Sequence, residues 1–154
     1  MSKQLQQTIS QWDTLASGAL EKVTEVQKSL TMVREQHARL ADEQENIRRM
    51  RVGYADQLKT LQSESCDLQR VTHLRRFLGQ LDSAMDSIVT ELAGLQNQQR
   101  LIQARFRELN AQHVKFETLA ARARKALASK INLKEQKESD LLNVMRFDQR
   151  SRQG

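Results

Sequence analysis

The side chains that could bind a metal ion or act as nucleophiles are few: three histidines and one cysteine in 154 residues. His37, His73 and His113 share no i, i+4 spacing, and Cys66 has no second thiol beside it. Histidines four residues apart on one helical face, or paired thiols, are the usual start of a zinc site. The sequence therefore predicts neither a metal site nor a cofactor.

The glycines do not indicate a phosphate-binding site either. Gly18, Gly53, Gly79 and Gly94 are isolated within helical patterns, whereas a phosphate-binding loop groups its glycines. Two paired helices also provide no cleft that could exclude water and preorganise charge around a reacting group. We therefore predict that the protein is not an enzyme.

Composition indicates which elements the chain builds. It has no proline, 4% aromatic residues and 29% charged residues, which is typical of long helices and predicts an all-α protein. The single cysteine fits a reducing compartment. No apolar run approaches the roughly 20 residues that span a bilayer, and residues 1–10 have no apolar signal-peptide core. We expect a cytoplasmic protein without a transmembrane segment.

The second half carries an apolar stripe whose members recur at spacings of four and three. Such a stripe has the width of a coiled-coil contact and needs a partner helix. Its members are Leu74, Leu78, Leu81, Met85, Ile88, Leu92, Leu95, Ile102, Phe106, Leu109 and Phe116, with Gln99 and His113 as the polar positions.

The first half carries a stripe with the same spacing, which predicts a helix of about 60 residues. It is weaker between His37 and Arg51, where polar side chains interrupt it. Its members are Ile9, Trp12, Ala16, Ala19, Val23, Val26, Leu30, Val33, His37, Leu40, Gln44, Ile47, Arg51, Tyr54, Leu58, Leu61, Ser65 and Leu68.

The spacing slips between Leu68 and Leu74, after a polar cluster at residues 62–67 that offers Ser63, Ser65 and Asp67 as helix N-caps. We place a turn there. The prediction is a single antiparallel coiled-coil hairpin over residues 1–154, with helices at about 4–62 and 70–148 and a turn at about 63–69. One unbroken helix, paired along its length with a second copy, is the alternative.

The second helix is predicted to extend past the first as an overhang, from about Leu127 to Arg152. Residues 122–154 contain nine Lys and Arg against four Asp and Glu, which is +5 of the net charge of +6. Apolar side chains without an intramolecular partner occur within this basic segment and predict a binding surface. Its candidate contact residues are Leu141, Leu142, Met145, Phe147, Arg146 and Arg150.

Two stretches resemble a known family. They are residues 77–84, Phe-Leu-Gly-Gln-Leu-Asp-Ser-Ala, and residues 135–150, where Glu-Gln-Lys-Glu-Ser-Asp is followed by Arg-Phe-Asp-Gln-Arg. Both are similar to the FliJ/YscO/HrpO family of flagellar and type III secretion proteins. The similarity in sequence extends over about residues 70–150. The pattern of apolar residues is similar over the whole chain.

The resemblance implies a function. Members of that family are antiparallel coiled-coil hairpins with a longer basic second helix, similar to the γ stalk of rotary ATPases. The resemblance implies a bacterial, cytoplasmic stalk component at the inner membrane, in export or virulence-associated secretion. Its implied partners are the hexameric export ATPase, the export gate protein and secretion chaperones. The gate-contacting face of the family falls here on Phe77, Leu81, Ala84 and Ile88, which we call the strip.

A nucleic-acid-binding or scaffold coiled coil that uses the basic C-terminal segment is the alternative function. We disfavour nucleic acid because Glu135, Glu138, Asp140 and Asp148 interrupt the basic residues, and only Phe147 could stack on a base.

Overall fold

The computed structural model describes residues 2–64 and 67–153. Over these residues the chain forms two helices, α1 (Ser2–Glu64) and α2 (Leu68–Gln153). The absence of proline lets both helices run without a break. The predicted all-α fold with a longer second helix is confirmed, since α2 has 86 residues and α1 has 63.

The connection between the helices begins after Glu64. The Val71 N–H donates to the carbonyl of Asp67 at 3.1 Å, so Asp67 occupies the N-cap position of α2. Ser65 and Cys66, within the predicted turn, lie outside the described residues. The assignment of Leu68 to the first stripe is wrong: Leu68 begins α2 and is 78% exposed.

The buried apolar side chains all lie on the two stripes or their continuation. These residues are Ala16, Ala19, Val23 and Val33 of α1 and Leu81, Ile88, Leu109 and Ala120 of α2. The helices therefore pack through the stripes as an antiparallel hairpin, as predicted, and the alternative of one unbroken helix is wrong. The chain divides into two compact units, which are described separately below.

The first unit contains Met1–Thr24 and Arg107–Gly154. Trp12 stacks on Phe116 with ring centroids 6.0 Å apart. Between these helix segments the small side chain of Ala120 is only 1% exposed, which allows the backbones to approach closely. Ala16, four residues after Trp12, contacts His113, three residues before Phe116, so the segments are antiparallel.

A polar position interrupts the packing of this unit. His113 Nδ1 lies 3.1 Å from the carbonyl oxygen of Ala16, and its Nε2 lies 3.2 Å from Glu117 Oε1. Nearby, Arg124 forms an ion pair with Asp13 of α1. The histidine at the stripe position therefore has an oxygen atom of each helix within hydrogen-bond distance.

The second unit is Glu25–Phe106. Val33, Leu81 and Ile88 are its buried apolar side chains. Two cross-helix contacts join α1 to α2: Tyr54 meets Phe77 edge to face, and Arg51 forms an ion pair with Asp82. These pairs also run in opposite directions along the two helices.

Neither α1 nor α2 contains, over its described residues, a stretch long and apolar enough to cross a membrane.

Candidate partner-binding surfaces

The overhang has no contact partner that buries it. Leu127 is half-buried, and every residue from 128 to 153 is exposed although the segment is helical. Seven large apolar side chains here are between 46% and 75% exposed: Ile131, Leu133, Leu141, Leu142, Val144, Met145 and Phe147. An exposed apolar surface of this kind usually marks a binding site for another protein.

Charged groups surround these apolar side chains. Residues 128–153 contain six Lys and Arg and four Asp and Glu, all of them exposed. Arg152 Nη2 and Asp148 Oδ2 are 3.9 Å apart, a weak contact on the last turn of α2. Arg146 and Arg150, two of the predicted contact residues, lie on the same exposed segment as the apolar side chains.

The structure places the four strip residues in two environments. Leu81 and Ile88 are buried against α1, at 7% and 5% exposure. Phe77 and Ala84 are half-buried and keep an edge open to solvent. The strip therefore lies along the margin of the helix–helix contact, with two members inside it and two at its edge.

Two residues of α1 contact α2 at the strip or beside it. The ring of Tyr54 meets that of Phe77 at a centroid distance of 4.8 Å and an interplanar angle of 77°. Arg51 Nε donates to Asp82 Oδ1 at 2.5 Å, and this hydrogen bond raises the pKa of Arg51 above its usual value. Both side chains of the ion pair remain about half exposed, so solvent screens it.

Sequence reasoning assigned Arg51 and Tyr54 to the first stripe and gave them no further role. The available signal was an arginine at a stripe position, which requires a nearby carboxylate when it packs against another helix. The partner, Asp82, lies inside the resembling stretch at residues 77–84. The register that brings Arg51 to Asp82 could not be read from either helix alone.

Among the described residues no group of three His, Cys, Asp or Glu side chains could hold a metal ion. The grooves along the helices are open and shallow. One, in the first unit, is lined by small side chains and also by the ionisable side chains of Asp13, His113, Glu117 and Arg124. Such a groove does not shield a reacting group from water.

The fold and these surfaces define an antiparallel coiled-coil hairpin whose second helix continues as an exposed, basic and partly apolar segment. Proteins of this class present their unmatched apolar side chains to other proteins.

A family model for the flagellar FliJ protein matches residues 3–152, which is nearly the whole chain. The chain therefore belongs to the FliJ family, and the predicted resemblance is confirmed. Members of this family are structural components of flagellar and type III protein export, and the family is not an enzyme family. No curated protein and no solved structure matches the chain.

Proposed function

We propose that this protein is the central stalk component of a bacterial type III or flagellar export apparatus. It links the hexameric export ATPase to the export gate, and secretion chaperones are further partners. It acts in the cytoplasm, at the inner face of the inner membrane. The observation that carries the proposal is the exposed helical overhang of a chain that belongs to the FliJ family.

The overhang binds the ATPase through its apolar side chains. Burying a leucine or methionine side chain contributes about 1.5–3 kcal/mol, so Leu141, Leu142, Met145 and Phe147 together can support a stable complex. The arginines among them, such as Arg146 and Arg150, attract an acidic protein surface before contact. Apolar contact should then set the dissociation rate, and charge the association rate.

The strip binds the export gate through its open edge. Phe77 and Ala84 supply the contact atoms because they are only half-buried. Leu81 and Ile88 hold this part of α2 against α1. The gate protein therefore contacts one aromatic ring and one small side chain of α2, while Leu81 and Ile88 hold that part of α2 in position against α1.

Dissociation kinetics test the ATPase contact. We expect Leu142→Ser with Met145→Ser to speed dissociation from the purified ATPase hexamer without lowering the melting temperature of the hairpin. The matched control is Leu101→Ser with Met32→Ser, since these side chains are at least as exposed but lie outside the overhang. The control should dissociate at the wild-type rate.

Charge is tested in the same way. Arg150→Gln with Arg152→Gln should mainly slow association at low salt, while Arg34→Gln with Arg39→Gln removes the same charge from α1 and should have little effect. If the overhang variants bind the ATPase normally and instead lose a salt-dependent retention on DNA, the stalk function is wrong and the nucleic-acid function replaces it.

The gate contact is tested with two neighbouring substitutions. Ala84→Arg should block binding of the cytoplasmic domain of the gate protein, because the long side chain covers the open edge of the strip. Ser83→Arg adds the same side chain at an exposed position beside it and should leave binding intact. Equal binding by both variants would remove Ala84 from the interface.

A further inference from the structure

Two residues of α1 contact α2 on opposite sides of the helix–helix contact, one of them at Phe77 of the strip. Phe77 and Asp82 are five residues apart, which is about 140° around a helix. Tyr54 packs edge to face on the first of them, and Arg51 binds the second at 2.5 Å. Contacts on two flanks restrain rotation of a helix about its own axis, which a contact on one flank does not.

The neighbouring stripe of α1 restrains that rotation only weakly. Gln44, a stripe position, is polar, and Arg51 itself occupies a position where coiled coils place an apolar side chain. Polar residues at such positions cost stability but specify register and orientation. An arginine whose partner is a single carboxylate on the facing helix fits this second role.

We infer that Arg51 and Tyr54 are positioning residues of the gate-binding surface: together they set the rotation of α2 that leaves the edges of Phe77 and Ala84 open. The inference rests on the proposed function for its partner, but its geometry belongs to this chain alone. The gate contact is thus built from both helices, although only α2 touches the partner.

The geometry can be measured without any partner. In a Cys66→Ser chain carrying Ala84→Cys, the rate of maleimide labelling reports how open position 84 is. We expect Arg51→Ala to change this rate by about threefold or more, as the loss of one flank contact lets α2 rotate. Arg48→Ala is the matched control, because Arg48 pairs with Glu45 of its own helix at 2.7 Å.

Exchange of the two charges separates positioning from direct contact. Arg51→Asp combined with Asp82→Arg keeps an ion pair across the helices but reverses its direction. If the pair positions α2, the exchanged chain regains the wild-type labelling rate and binds the cytoplasmic gate domain within about twofold of wild type, while each single change weakens binding. Tyr54→Phe should keep both properties, and Tyr54→Ser should lose both.

The outcomes distinguish this inference from the proposed function. Unchanged labelling in Arg51→Ala overturns the positioning role, whether or not the gate domain binds. If the exchanged chain regains the wild-type labelling rate but still does not bind the gate domain, the positioning role is also overturned. The gate domain would then contact the two charged side chains directly. If Arg51→Ala alters the labelling rate but the wild-type chain does not bind the gate domain, the positioning role is supported and the gate is refuted as the partner.

Discussion

Leucines of α2 differ widely in burial according to their place on the stripe. Leu109 is 3% exposed and Leu101, eight residues earlier and off the stripe, is 72% exposed. We predict that Leu109→Ala lowers the free energy of unfolding by about 2 kcal/mol, because it removes apolar contact and leaves a cavity. Urea unfolding followed by circular dichroism measures the change.

Leu101→Ala is the control for that substitution, since it makes the same chemical change on the same helix. Its effect should stay within about 0.5 kcal/mol, as for most exposed positions. Equal destabilisation by the two variants would contradict the assignment of the stripe to the helix–helix contact.

Glu45 gives a prediction about pH. Its hydrogen bond from Arg48, with the charge of Arg48 and Arg49, lowers the pKa of Glu45 below its usual value. A lowered folded-state pKa adds stability that is present above the unfolded value and is lost as the pH falls through the folded value. Glu45→Gln should therefore lower the melting temperature slightly at neutral pH and not at about pH 2.

Glu43 provides the comparison for the pH experiment. It is exposed on the same helix, and none of the ion pairs in the described part of the chain includes it. Glu43→Gln should change the melting temperature by the same amount at both pH values. A pH-independent effect of Glu45→Gln would show that its arginine contacts do not act through charge.

Residue patterns predicted the packing positions better than the polar contacts. Leu81, Ile88 and Leu109 follow from the spacing of apolar residues alone, since burial drives them onto one stripe. The partnership of Arg51 with Asp82 depends on how the two helices align, which the spacing of either helix does not specify. Leu68 was misassigned because it is the first residue of α2 and not part of α1.

At the scale of the elements, the overhang differs from the rest of α2. It is helical to Gln153, yet no described residue beyond Leu127 is buried. Isolated helices are only marginally stable in water, because most helical stability in proteins comes from tertiary packing. The overhang should therefore open and close far more often than the paired part of the same helix.

Hydrogen exchange measures this difference. We predict that backbone amides of residues 130–150 exchange about tenfold or more faster than those near Leu109 and Ala120, and that addition of the ATPase slows them selectively. Truncation after residue 127 should leave the melting of the hairpin unchanged. Equal protection along the whole of α2 without a partner would contradict this account of the exposed overhang.

The elements themselves could be predicted well from sequence. A slip in the spacing predicted a connection at about residues 63–69, because two stripes in different phase cannot belong to one straight contact. The bounds were less accessible: α1 begins at Ser2 and α2 extends to Gln153, beyond the predicted 4–62 and 70–148. Helix ends made of polar residues with good helix propensity carry no apolar spacing to mark where they stop.

At the scale of the whole molecule, the two helices pack through their stripes, and two kinds of surface remain exposed. The overhang offers exposed apolar side chains among charges, and the strip offers the open edges of Phe77 and Ala84. Family membership could be anticipated from two short stretches, residues 77–84 and 135–150. The partners of the individual surfaces could not be predicted from the sequence, because coiled coils use the same residue types to bind many different partners.

The most direct test is whether one copy of the chain holds the ATPase and the gate together. Purified ATPase hexamer and the cytoplasmic gate domain should form a joint complex by mass photometry only when this protein is added. Ala84→Arg should abolish binding of the gate domain but not of the ATPase. Leu142→Ser with Met145→Ser should weaken binding of the ATPase but not of the gate domain. Binding of the two partners that is mutually exclusive, or a joint complex that forms equally well without this protein, would contradict the stalk function.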